Sequence, residues 1–169
     1  MTRVLDVDYF HVVFTLPAAL RSLTLAHRRP VFALLLRAAA HTLLTLAHDP
    51  QRLGAELGIT AVLHTWTREL EFHPHVHCIV TARGLTADRR RWRPACQRHL
   101  FPVRVLGALF RGKVLSALQR NLARGELSSA DPVTTRRTLG ALHQAPWLVY
   151  VKRRIAGSVQ TGAVVKLGR

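Results

Sequence analysis

The sequence predicts an α+β domain, an antiparallel sheet with helices packed on it. Two observations carry this. Short β-branched and aromatic stretches alternate with longer segments whose leucines recur at three- and four-residue steps. The elements also follow the order β, α, α, β, β, α, α, β, with one short connection that suits a hairpin. The 169 residues are enough for one domain, and a hydrophobic share of 49% argues against disorder.

The first strand is Tyr9-Phe10-His11-Val12-Val13-Phe14-Thr15-Leu16, ended by Pro17. Pro17 suits the first position of a helix, with Leu20, Leu23 and Leu25 as its apolar contacts. A second helix runs from about Pro30 to Ala47 and stops at Asp49-Pro50. Its apolar residues cover much of its circumference, so it is expected to be buried. Broken by Arg37 and His41, the stretch Val31–Ala47 reads as too short and too polar to span a bilayer. Ile59–Trp66 and His75–Thr81 are two further strands, expected to pair as antiparallel neighbours across Thr67–Pro74. A polar, basic turn follows at Arg83-Gly84 and Asp88–Arg91. Val103–Ala123 is a helix in spite of Gly107 and Gly112, and a short helix follows Asp131-Pro132, with Asp131 as its cap. Trp147–Val151 is the last strand. Trp66 and Trp147 sit in apolar strands and are expected in the core.

Charge narrows the partner. Lys+Arg number 25 and Asp+Glu 9, a formal net charge of +16, and only Lys113, Lys152 and Lys166 are lysines. Such an arginine excess suits a polyanion, because guanidinium pairs with phosphate and stacks on bases. The best candidates for backbone contact are Arg83, Arg89, Arg90, Arg91 and Arg93, with Trp92 among them as a base-stacking residue. Arg153-Arg154 is a weaker candidate. The two cysteines, Cys78 and Cys96, form no CxxC pair, which argues against a disulfide scaffold or a cysteine zinc site. With no signal-peptide pattern at the start, a cytoplasmic, bacterial-type protein is expected.

The segment His73-Pro74-His75-Val76-His77-Cys78 carries the chemistry. Alternate residues of a strand share a face, so His75 and His77 project side by side, and His73 joins them if the strand starts early. Two imidazoles so placed suit a divalent metal with open positions, and an unrelated two-histidine metalloenzyme would begin the same way. Val76, Cys78 and Val80 are expected on the opposite, core face.

Several ordered stretches resemble transposases of the insertion-sequence-91 family. They are Tyr9–Pro17, Gly58–Trp66, His73–Cys78, Phe101–Leu106 and Trp147–Lys152, together spanning nearly the whole chain. The resemblance implies a ferredoxin-like palm of the HUH endonuclease type, with His75-Val76-His77 as its two-histidine motif. It further implies that these histidines and a third polar ligand hold Mg2+ or Mn2+, and that single-stranded DNA at transposon ends is nicked and transferred through a phosphotyrosine, with no nucleotide cofactor. The third ligand stays open among Glu69, Glu71, His73 and His64, with a lean toward an acidic residue, since oxygen favours hard Mg2+.

The chain departs from the family pattern. Its tyrosines are Tyr9 and Tyr150, both in expected strands, and none follows Tyr150. No catalytic tyrosine is therefore assigned. Residues 155–169 read as a divergent tail of an otherwise single domain spanning 1–169, and the cysteine-rich zinc module that precedes the family's catalytic region has no counterpart. A truncated transposase core, inactive alone, is the expectation. The alternative is a non-catalytic DNA-binding remnant or regulator.

Overall fold

The computed structural model describes residues 7–67, 69–96 and 99–155. The strands are β1 (Tyr9–Thr15), β2 (Glu56–Trp66), β3 (Phe72–Leu85), β4 (Trp92–Pro94) and β5 (Val149–Ile155). The helices are α1 (Arg21–Ala26), α2 (Arg28–His48), α3 (Val103–Ala123) and α4 (Pro132–Leu142). Pro17 precedes a single 3-10 turn, Ala18–Leu20, rather than opening a regular helix. Of the three leucines expected to pack there, Leu20 is buried, Leu23 is partly buried and Leu25 is exposed.

The principal strands lie in the order β2-β3-β1-β5, every pairing antiparallel. Strand β3 thus sits between β1 and β2, and β1 between β3 and β5, which is the split βαβ arrangement of a ferredoxin-like sheet. The short strand β4, absent from the expected element order, pairs with the far end of β3. Three residues including a proline give little periodicity to detect.

Alternation decides which face is core. On β1, Phe10, Val12 and Phe14 are buried; on β3, Val76, Cys78 and Val80 are too, as their phase requires. Helices α2 and α3 cover this face. Phe14 meets Phe110 of α3 at 4.7 Å between ring centroids, and Phe110 meets Trp147 at 5.6 Å. Trp147 lies just ahead of β5, buried, its indole N–H donating to the Leu142 carbonyl at 3.2 Å. Gly107 has a packing reason: a Cβ there would stand 3.2 Å from the Trp147 carbonyl oxygen.

Helix α2 has 21 residues and is apolar enough by length and composition to cross a membrane, contrary to the sequence reading. Its role in the fold is set by packing instead: Val31, Leu34, Leu35, Ala38, Leu43 and Leu46 are buried in the core. Thr42 is buried with them, its hydroxyl donating to the Ala38 carbonyl at 2.7 Å, so this hydroxyl is not stranded.

Candidate metal centre

The opposite face of the sheet carries the histidines. His73, His75 and His77 are half-buried on β3, in alternation with the core residues. The hairpin register then brings a fourth. His64 pairs directly with His75, and Val62 with His77, so the β2 residues of this phase share the histidine face. One ring nitrogen from each of His64, His75 and His77 lies within 4.8 Å of the others. Ring centroids are 4.4 Å apart for His64 and His77, 5.5 Å for His64 and His75, and 4.9 Å for His75 and His77.

Among the four candidates for a third ligand, the structure thus brings His64 to the pair. Glu69 and Glu71 are exposed in the hairpin connection and stand outside the cluster. The lean toward an acidic residue rested on the preference of hard Mg2+ for oxygen, whereas cross-strand register determines which side chains meet. His73 neighbours His75 at 5.7 Å between centroids and lies outside the three-nitrogen group.

Hydrogen bonds orient the rings. The carbonyl of His73 can only accept, so the Nδ1 of His75, 2.6 Å away, carries the proton and leaves Nε2 with a free lone pair. The Nδ1 of His77 lies 2.7 Å from the Nε2 of His11 on β1. The Nε2 of His77 is buried and has no hydrogen-bond partner. Nothing in the sequence reading singled out His11, because the β1–β3 pairing that delivers it joins residues 66 apart in sequence.

Burial and then the nearby His64, His75 and His11 push the His77 imidazole down to about 4, so it is uncharged at neutral pH. Burial, then Lys152 and His64, lower His11; burial, then His75 and Arg21, lower His73 against an upward pull from Glu71. Cys78 sits on the core face, its thiol raised to about 12 by burial, and is no ligand.

The arginine run lies elsewhere. Arg89, Arg90 and Arg91 occupy the turn between β3 and β4, past the end of β3 at Leu85, which lies eight residues along the strand from His77, or about 26 Å of extended strand. All three are exposed, as are Arg83 and Trp92. Asp88 organises this turn, accepting from the Thr86 hydroxyl and the Arg90 amide. Arg93 is tied back to the body of the domain, its guanidinium donating to the Leu53 carbonyl at 3.2 Å. Arg153 and Arg154 fall in β5. The tail beyond residue 155 lies outside the described residues.

Trp66 corrects a second expectation. A register shift between His64 and Trp66 breaks the alternation of β2. Trp66 then pairs with Phe72 at 5.4 Å between centroids, and it is 52% exposed rather than core.

The family model Y2_Tnp, described as "Putative transposase", matches residues 58–169. The chain belongs to this transposase family. The match takes in most of β2, all of β3 and all three clustered histidines, and it continues through the stretch 155–169. "Putative transposase y4qJ" of Sinorhizobium fredii (strain NBRC 101917 / NGR234) is 42% identical over 166 residues, covering 94% of this chain and 42% of that protein. The transposase for insertion sequence element IS801 of Pseudomonas savastanoi pv. phaseolicola is 41% identical over 103 residues, 53% of this chain and 24% of that protein. The chain therefore spans less than half the length of these two relatives. Among solved structures, the metal-free conjugative relaxase TrwC in complex with OriT DNA is similar at a TM-score of 0.49 and 20% identity, over 65% of this chain and 43% of that one. TrwC with a 27-mer DNA comprising the recognition hairpin and the cleavage site gives 0.47 and 15%, over 80% and 66%. Family membership sets aside an unrelated two-histidine metalloenzyme.

Proposed function

We propose that this Y2_Tnp chain is the metal-binding core of a transposase that nicks and transfers single-stranded DNA. The observation that carries the reading is the buried, unpartnered Nε2 of His77 within a group of three imidazoles. A buried polar atom without a partner costs free energy, on the order of 1–3 kcal/mol, and a divalent cation would remove that cost. The donor set fits one: three ring nitrogens from a rigid hairpin, none from an acidic residue. His64, His75 and His77 would hold it, and all-nitrogen ligation favours Mn2+ over Mg2+.

An ion held there would supply Lewis acidity to a phosphodiester. The chain's own residues would do the rest. Strands β2 and β3 hold the three rings at fixed spacing, and the half-buried setting limits competing water. The neutral state of His77 keeps its lone pair available at physiological pH. Arg83, Arg89, Arg90, Arg91 and Trp92 would bind the strand away from the metal, through phosphate pairing and base stacking. Arg93 contributes less, being engaged with Leu53.

The nucleophile belongs outside the described residues in this reading. Tyr9 and Tyr150 are fixed on strands β1 and β5, and neither is taken as catalytic. The chain alone is then expected to bind metal and DNA without forming a covalent adduct, which would suit a regulator as well as a core. Calorimetric titration tests the metal. Saturable Mn2+ binding, weaker for Mg2+ and lost in His64→Ala and in the His75→Ala/His77→Ala pair, is the expected result. Equal binding by wild type and His64→Ala would overturn the three-histidine site. A DNA adduct on the wild-type chain that survives denaturation would show that the nucleophile is already present.

A further inference from the structure

We infer that His11 is a positioning residue for the metal centre: it fixes His77 in the tautomer whose Nε2 can bind a cation. The inference rests on the metal reading above and concerns a residue outside the three-imidazole group.

The contact is a hydrogen bond and not a stack. The rings of His11 and His77 are 16° from parallel with centroids 4.9 Å apart, while the two nitrogens are 2.7 Å apart. A centroid separation that exceeds the nitrogen separation by about two ring radii means the rings meet edge to edge in nearly one plane. An N–H···N bond requires that alignment.

Such a bond has one proton and two possible directions. If the Nδ1 of His77 donates to the Nε2 of His11, the Nε2 of His77 is bare and presents its lone pair to His64 and His75. If His11 donates instead, a neutral His77 must carry its proton on Nε2. That proton would then be buried among the other imidazoles with no acceptor bonded to it, and the nitrogen could not bind metal. The unpartnered state of that atom is the observation that separates the two. A bare nitrogen facing a cation site is expected there; an orphaned buried N–H would be a plain loss. The direction is therefore His77 Nδ1–H to His11 Nε2, which leaves the proton of neutral His11 on its own Nδ1.

The same logic already holds one residue pair away. The His73 carbonyl fixes the Nδ1–H tautomer of His75 with no ambiguity, since a carbonyl only accepts. His11 does for His77 what a backbone oxygen does for His75. The fold gives it reach: β1 lies directly beside β3, with His11 opposite Ile79 and Val13 opposite His77, so His11 meets His77 on the diagonal of one sheet face. Metal-bound imidazoles commonly have such a partner on the second nitrogen, and its loss costs about 10- to 100-fold in metal affinity.

Two substitutions distinguish position from bulk. A glutamine at 11 can place its amide oxygen near the site of the imidazole Nε2; an asparagine places it near Nδ1, too short to reach. Imidazole nitrogen NMR on the metal-free protein reads the tautomer directly, and Mn2+ titration reads its consequence. The wild type is expected to show His77 protonated at Nδ1 and bare at Nε2. His11→Asn is expected to mix the tautomers and weaken Mn2+ by about 10- to 100-fold, with the thermal midpoint of the metal-free fold as a check that the domain is intact. His11→Gln is expected to restore both the tautomer and most of the affinity. A wild-type His77 protonated at Nε2 would overturn the inference, as would a folded His11→Asn that binds Mn2+ like wild type. Failure of the wild type to bind Mn2+, with the Nδ1–H tautomer in place, would sink the metal reading and leave the His11–His77 bond direction standing.

Discussion

Burial and three neighbouring imidazoles hold His77 at about 4, against an ordinary histidine value of 6.5. That difference links pH to stability with a definite sign. The unfolded chain takes up a proton at this residue as pH falls through 6.5, while the folded metal-free protein resists until about 4. Stability from the neutral state is present above 6.5 and is lost progressively between 6.5 and 4. Urea midpoints across that window should fall, and His77→Gln should flatten the dependence. A wild-type midpoint that stays level from pH 7 to 4.5 would contradict the burial-driven depression. At this scale the sequence was half informative. The i, i+2 spacing of His75 and His77 required only that the strand exist. His64 was visible among four candidates but was not the one favoured. Its place beside His75 and His77 follows from hairpin register, in which 64 meets 75 and 62 meets 77. His11 depended on a long-range pairing, and Trp66 on a bulge that shifts the strand's phase, neither of which local alternation encodes.

Helix α3 was legible to the residue, because apolar residues at three- and four-residue steps, Val103, Leu106, Phe110, Val114, Leu118 and Leu122, run through it. Its two glycines looked alike in sequence and differ in the fold. Gly107 lies against the Trp147 carbonyl, whereas a Cβ at Gly112 would meet nothing within 4 Å. Gly112→Ala should stabilise the domain by about 0.5–1 kcal/mol through helix propensity alone. Gly107→Val should instead cost about 1–3 kcal/mol, since the added methyls press on backbone. Thermal or urea unfolding of the two variants reads the contrast; equal signs would mean that the α3–Trp147 approach is looser than described. Helix α4 repeats the lesson at its start. The Asp131 carboxylate accepts from the Thr134 amide at 2.9 Å, and Asp131→Ala should cost about 1 kcal/mol.

For the molecule as a whole, the order of elements sufficed to suggest a sheet with helices on one face, and the pairing β2-β3-β1-β5 gives that sheet its ferredoxin-like form. What composition could not show is the separation of the two candidate sites. The metal-candidate face lies near one end of β3 and the exposed arginine turn at the other. Among the described residues the ion pairs are Arg52 with Asp49 and Arg124 with Glu126, so the turn's arginines carry no ion pair there. If they bind single-stranded DNA, affinity should fall as salt rises. Replacing Arg89, Arg90 and Arg91 together with alanine should then lower the slope of log affinity against log salt by about 2, at roughly 0.7 per phosphate. An unchanged slope would move the DNA contact elsewhere on this +16 chain.

The central claim is that three imidazoles of one hairpin form a metal site. Crystals of the chain grown with Mn2+, with data collected across the manganese absorption edge, test it most directly. The account predicts one strong anomalous peak bonded to a ring nitrogen from each of His64, His75 and His77. A peak ligated by Glu69, Glu71 or His73 in place of His64, or no peak on this face at all, would contradict it.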